Sequence, residues 1–203
     1  MAKQGYHHGN LRQTLVDGAL SLIETKGPAG FTLSQAAKSA GVTPAAVYRH
    51  FAGRDDLISE AARQGYVVFA EGLEAARATA PGGAGQIHAL ARAYLGFARS
   101  NPGHYIAMFE SSIDINRLPG LAEAAGRARA LMHGACDALC PLIAAERCPE
   151  ASLLTAHIWA MSHGVVELFL RNSAGLSDHV APEEMLEAGL ATYLRGLGLP
   201  DRA

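Results

Sequence analysis

The stretch Phe31–Phe51, FTLSQAAKSAGVTPAAVYRHF, decides how the rest of this 203-residue chain is read. It reads as two short helices joined by a glycine turn. Thr32 is placed to N-cap the first helix, Leu33–Ser39, by accepting from a backbone N–H that has no partner inside the helix. Gly41 supplies the left-handed backbone that ends that helix without a Cβ clash. Thr43 caps the second helix, and Pro44 takes its first position, where a missing N–H costs nothing. Ala36, Ala37 and Ala40 are small enough for two helices to cross closely, and Val42 and Val47 plug the joint. The pattern is that of a helix-turn-helix whose second helix is short, capped and shaped for a major groove.

Read onward, GVTPAAVYRHFAGRDDL (Gly41–Leu57) opens into a long helix and resembles the DNA-binding signature of TetR-family transcriptional repressors. That family shows a Gly-Val-Ser/Thr turn, then Tyr-x-His-Phe, then Gly or Asn and a basic residue. Val42, Thr43, Tyr48, His50, Phe51, Gly53 and Arg54 match it, and upstream YHHGNLRQTL resembles the start of one branch. The resemblance covers residues 6 to about 65 and is specific because caps, turn and aromatic positions agree together. It implies that Thr43, Tyr48, His50 and Arg54 contact phosphate, where hydroxyl, imidazole and guanidinium donors fix register on the backbone. Thr43, Pro44, Ala45, Ala46, Tyr48, Arg49 and His50 lie at or near the exposed N-terminal part of the second helix. Base reading then falls to Ala45, Ala46 and Arg49, with Ser34 reaching from the preceding helix. An arginine pairs bidentately with guanine, and an alanine methyl touches a thymine methyl.

Charge distribution fits a protein that presents one face to phosphate. The whole chain carries a net −2. Residues 1–64 hold seven of the 17 basic and five of the 19 acidic side chains, a net of +2, plus His7, His8 and His50; the remainder nets −4. Lys3, His7, His8 and Arg12 form either an arm along the backbone or minor groove, or a tail that adds diffuse charge. Hydrophobic residues are 49% and charged residues 18%, ample for a core. No run of about eighteen apolar residues is evident, so no membrane span is expected. The first ten residues lack the apolar stretch of a signal peptide. Three cysteines, an odd count, argue against a disulfide framework and fit a reducing cytoplasm.

Helical periodicity continues to the end, with no strand-like alternation, so an all-α fold is expected. Asn10 caps a helix through about Lys26, and Arg54–Thr79 forms a long helix opened by Asp55 and Asp56. Pro81, Gly82, Gly83 and Gly85 make the clearest break. Further helices are expected over Gln86–Ser100, His104–Ile115, Leu118–Cys140, Glu150–Asn172 and Pro182–Gly196. The predicted domains are a helix-turn-helix head, 1–53, a connecting helix, 54–80, and a regulatory and dimerisation domain, 81–203.

In the later part, IWAMSHGVVELF (Ile158–Phe169) resembles a Trp-x-x-x-His-Gly signature in the regulatory domains of one TetR branch. The lone Trp159 is expected to face inward near Tyr94, Phe97, Tyr105, Met108, Phe109, Met132 and Met161, an apolar lining for a ligand or simply a core. Tyr105, Phe109, Trp159 and His163 are the pocket candidates. His133, Cys136, Asp137 and Cys140 share about one helix face, which leaves open a zinc site, a thiol sensor or buried small cysteines. No catalytic motif is present: there is no Gly-x-Ser-x-Gly, no His-Glu-x-x-His and no phosphate-binding glycine loop. The expectation is therefore a non-enzymatic regulator without cofactor or metal. It would bind double-stranded operator DNA as a homodimer and answer to a small, largely apolar effector. Wide apolar faces on the last two long helices, with Leu168 and Leu190 as test positions, are expected to pair with their twins, as the resemblance also implies. The rivals are a thiol- or metal-sensing regulator through His133, Cys136 and Cys140, and a ligand-binding helical protein in which the head is incidental.

Overall fold

A computed structural model of the protein describes residues 11–116, 118–171 and 180–200. The arm residues Lys3, His7 and His8, the Asn10 cap and the Asn172 helix end lie outside the described residues. Among the described residues the chain is all-α, with no strand. In order the helices are α1 (Leu11–Lys26), α2 (Leu33–Ser39), α3 (Pro44–Val47), α4 (Arg54–Thr79), α5 (Ala84–Ser100), α6 (Pro102–Phe109), α7 (Pro119–Leu139), α8 (Ala151–Val166) and α9 (Pro182–Gly196). A 3₁₀ turn, Cys140–Leu142, follows α7, and a π turn, Glu167–Arg171, follows α8.

Two compact units divide the chain: 1–66 with 101–123, and 67–100 with 124–203. Helix α4 is continuous through the boundary after Tyr66. The expected boundaries placed everything after residue 80 in the later domain. Instead α6 and the start of α7 group with the head, because α6 packs directly on α1.

The first unit is built on apolar residues spaced three and four apart. Leu15, Val16, Ala19 and Ile23 of α1 are fully buried, as are Leu57 and Ala61 of α4. Phe31 and Phe51 sit beneath the helix-turn-helix, 2% and 1% exposed. Each Leu, Val, Ile or Phe side chain among them, once removed from water, contributes about 1.5–3 kcal/mol. Gly103 lets α6 approach α1 closely: a Cβ there would lie 2.8 Å from the Leu20 carbonyl oxygen.

In the second unit α5, α8 and α9 pack on one another. Ile87, Leu90 and Tyr94 of α5, Leu154 and Ile158 of α8, and Leu186, Leu190 and Leu194 of α9 are all buried. Two ion pairs staple α5 to α9, Arg99 with Glu183 and Arg92 with Glu187, and His88 Nδ1 lies 2.7 Å from Glu187 Oε2. Arg127 makes a two-pronged pair with Glu74, joining α7 to α4.

Two differences from the sequence reading have local causes. Helix α6 ends at Phe109, not Ile115. Ser111 Oγ donates to the Ala107 carbonyl at 2.6 Å, and Ser112 takes a left-handed φ of 55°, which no helix continues through. The 21-residue segment Ala151–Arg171 holds an 18-residue window with a mean hydropathy of 1.3, enough by length and composition to cross a membrane. It was not singled out in the sequence. In the fold it is a packing helix, with α5 and α9 against it.

Gly103→Ala should lower stability by about 1–3 kcal/mol, since α6 must move off α1 to admit the methyl. Gly96→Ala, an exposed α5 position with nothing within 4 Å of the added Cβ, should instead leave stability unchanged or raise it by about 0.5–1 kcal/mol. Urea denaturation midpoints of the two variants distinguish these outcomes.

Candidate nucleic-acid interface and the groups around it

The helix-turn-helix forms as its caps dictate. Thr32 Oγ1 accepts from Gln35 N–H at 3.3 Å, and Gln35 Oε1 accepts from Thr32 N–H at 2.9 Å, a closed capping box. Gly41 has φ 68° and lets Val42 N–H reach back to the Ala37 carbonyl at 2.9 Å. Thr43 stands at the N-cap of α3 with extended backbone, and Pro44 occupies the first turn. The Thr43 hydroxyl makes no capping bond, contrary to expectation, so it is not spent on the helix. Helix α3 is a single turn, prolonged by His50 and Phe51 N–H groups that donate to the Val47 carbonyl.

This turn separates two faces sharply. Val47 is fully buried and Phe51 1% exposed, whereas Tyr48 is 62% exposed. Ser34, Thr43, Pro44, Ala45, Arg49 and His50 are also exposed, and Ala46 is half-buried. Tyr48 and His50 therefore do not pack inside the head. Arg54 is tied to it: Nη1 donates to the Ala29 carbonyl at 3.2 Å, and Nε lies 3.7 Å from Asp55. This guanidinium holds the α1–α2 connection in place.

Behind the interface a polar network joins α1 to α4. Glu60, 7% exposed, accepts both prongs of Arg63 at 2.8 and 2.9 Å and a bond from Gln64. Gln64 pairs with Gln13 of α1 at 3.0 Å. Arg12, grouped in the sequence with the N-terminal arm, instead lies 3.4 Å from Glu60 and over the Phe51 ring at 4.7 Å. Burial works to raise the Glu60 pKa, but the bonds from Arg63 and Gln64 and the charges of Arg63 and Arg12 outweigh it, leaving the carboxyl below its ordinary value.

The four pocket candidates fall in different units. Tyr105, fully buried, stacks at 4.9 Å on Phe109 in the first unit. Nearby, Tyr66, Met108, Ile113, Ile115 and Leu121 line a cavity of about 60 Å³. Trp159 and His163 lie in the second unit. The Trp159 ring stands edge-on to Tyr94 at 5.6 Å and to Phe69 at 6.1 Å. The buried Tyr94 hydroxyl is 2.9 Å from His163 Nδ1, and His163 Nε2 is 3.8 Å from Glu167. Between α8 and α9 runs an apolar groove of about 510 Å³, lined among others by Met161, Val165, Leu168 and Met185.

His133, Cys136 and Cys140 do not converge. His133 Nδ1 is 3.3 Å from the Thr155 hydroxyl, Cys136 is buried, and Cys140 Sγ donates back to the Cys136 carbonyl. Burial pushes the Cys136 thiol up. Among the described residues no three His, Cys, Asp or Glu side chains gather as a metal-holding group. Tyr94 and Glu60 are the residues the sequence reading undervalued. The first appears there only as one aromatic among many, and the second is not singled out at all. A clue to Glu60 was available in the run Glu60, Arg63, Gln64 at helical spacing.

A helix-turn-helix with a buried hinge and an exposed face of hydroxyl, imidazole and guanidinium groups defines a DNA-binding regulator. Residues 15–61 match the family described as bacterial regulatory proteins, tetR family. Residues 87–193, over half the chain, match that described as tetracyclin repressor-like, C-terminal domain. The chain belongs to the tetR family of bacterial regulatory proteins. The HTH-type transcriptional regulator AcrR of Shigella flexneri is 45% identical over 49 residues, 24% of this chain and 23% of that protein. A protein of unknown function from Rhodococcus sp. RHA1 is 29% identical, with a TM-score of 0.80 over 97% of this chain and 100% of that one. A bacterial regulatory protein in the tetR family from Rhodococcus RHA1 shares the fold, with a TM-score of 0.75 at 16% identity over 95% and 99% of the two chains.

The Glu60 network makes the head acid-sensitive. Because its folded pKa lies below its ordinary value of 4.5, its stabilisation is complete above that value and is lost as pH falls through the folded one. Glu60→Gln should cost about 1–3 kcal/mol near neutrality. It should also flatten the decline in stability below about pH 5. Urea titrations at several pH values measure both; an unchanged slope would remove Glu60 from the account.

Proposed function

We propose that the chain is a homodimeric repressor that binds a palindromic operator and is released by a small, largely apolar effector. The observation that carries this is the division across α3, where Val47 is sealed in the core while Tyr48 is exposed. Thr43, Tyr48 and His50 contact phosphate, and Arg54 does so while holding Ala29. Ala45, Ala46 and Arg49 read bases with Ser34. One head reads too few base pairs for useful specificity, and two related by a dyad read a palindrome.

The second protomer docks on the α8–α9 groove, where Leu168 and Met185 are 40% and 47% exposed. Leu190 is not part of that surface. It is fully buried within its own chain, so its change to Asp would unfold the unit and not merely part a dimer. Periodicity alone, which puts Leu190 with Leu168 on the pairing face, does not distinguish the two sides of a broad apolar stripe.

Tyr48→Phe should weaken binding to every sequence alike, by about 2–10-fold, through loss of one hydrogen bond. Arg49→Ala should instead erase preference at particular base pairs, worth about 1–3 kcal/mol each. Leu168→Asp should sediment as a monomer and lose operator affinity although the head is unaltered. Fluorescence anisotropy on matched and mutated duplexes reads the affinities, and sedimentation velocity reads the oligomeric state. Uniform weakening by Arg49→Ala would refute its base-reading role.

The effector binds in the second unit, beside Trp159 and His163. The aromatic wall of Phe69, Tyr94 and Trp159 with one imidazole favours an uncharged or weakly anionic apolar molecule over a sugar phosphate, which needs converging Arg and Lys. Trp159 is the only tryptophan, so binding should change intrinsic fluorescence. The same compound should release DNA, since a ligand shifts the equilibrium by its preference for the non-binding state. Trp159→Phe or His163→Ala should blunt release while leaving ligand-free DNA binding intact. Full release from both variants would place the effector elsewhere.

A further inference from the structure

We propose that Arg12 is a further phosphate-contacting residue of the DNA interface, held in place by the polar network behind the helix-turn-helix. The contact adds a residue of α1 to the interface and rests on the reading of α3 as its DNA-facing element. Three charged groups meet at this point, Arg12, Arg63 and Glu60, and together they carry a net +1. The two cations are not equally engaged. Arg63 gives Glu60 both prongs of its fork, at 2.8 and 2.9 Å, and Gln64 adds a third bond at 3.0 Å. Arg12 Nη2 stands farther off, 3.4 Å from Glu60 Oε2, and its guanidinium makes no hydrogen bond among the described residues. Its side chain is 49% exposed, against 35% for Arg63. Arg63 is the committed cation, and Arg12 carries the surplus charge outward.

Many surface arginines are exposed; Arg12 is also fixed. Its guanidinium lies 4.7 Å from the centroid of the Phe51 ring. Phe51 is 1% exposed and directly follows Tyr48, Arg49 and His50, the exposed run that closes α3. The guanidinium therefore sits at the border of that run, with one face on the aromatic ring and one edge toward Glu60. A planar guanidinium whose N–H groups are not spent inside the protein matches the oxygens of a phosphate, two at a time. Holding it there beforehand reduces the side-chain ordering that binding costs. Glu60 does not cancel the role, because its charge is already offset by the bidentate pair with Arg63.

Phosphate contacts are read in the salt dependence of binding, so no operator needs to be known. Full-length protein is titrated onto a mixed-sequence duplex by fluorescence anisotropy at several chloride concentrations. Arg12→Gln should bind more weakly and lower the slope of log K against log salt by about 1 per protomer. Arg12→Lys, which keeps the charge, should restore most of that slope. Glu60→Gln disturbs the same network but leaves Arg12 present, so its slope should not fall. Phenylglyoxal labelling of the wild type, followed by peptide mass, needs no variant: Arg12 should label in the free protein and be protected by the duplex. An unchanged slope in Arg12→Gln, an equal fall in Glu60→Gln, or labelling undiminished by the duplex would each overturn the assignment. Equal protection by inorganic phosphate at the same ionic strength would also overturn it, marking a site for a free anion. Wild-type protein that does not bind the duplex at any salt concentration would overturn the DNA-binding reading itself, and the assignment with it.

Discussion

The carboxylate of Glu60 is the interaction on which the head depends. It is nearly sealed from water, and a buried carboxylate is tolerated only where donors replace its hydration. Arg63, Gln64 and Arg12 supply them, and two of those links reach helix α1, through Arg12 directly and through Gln64 to Gln13. The network binds α1 to the early turns of α4. It also draws Arg12 over Phe51, the aromatic that underlies the helix-turn-helix. A polar cluster thus sets the position of α4, while the apolar residues around it supply most of the stabilisation.

Helix α4 gives that position its consequence. Its 26 residues span about 39 Å and belong to both compact units. A change in the second unit has this helix as a continuous covalent route to the residues that fix α1. The aromatic group of the second unit begins on the same helix, at Phe69, and leads through Tyr94 to Trp159 and His163. The coupling of effector and operator that we propose for this chain would run through that continuous helix.

The helix-turn-helix was legible in the sequence because its determinants are local. Thr32, Gly41, Thr43 and Pro44 act on backbone groups within a few residues of themselves, so caps and turn appear in the string. The end of α6 depends on Ser111 and Ser112, whose bonding competes with a helix that composition alone would extend. Which unit holds α6 depends on the fit of Gly103 to α1, a contact between residues far apart in the chain. Arg12 reads as an arm residue by composition and becomes part of the Glu60 network only when α1 meets α4. Leu168 and Leu190 look alike in sequence, and packing alone assigns one to the surface and the other to the core.

The central claim, that two heads held at a fixed separation read a dyad, is tested most directly by the geometry of the DNA. An operator selected from random duplexes is altered by inserting about 5 base pairs, half a helical turn, or about 10, a full turn, between its half-sites. The account predicts that the half-turn insertion, which rotates one half-site to the opposite side of the duplex, reduces affinity to that for a single half-site. Equal affinity for the parent and the half-turn operator would contradict it.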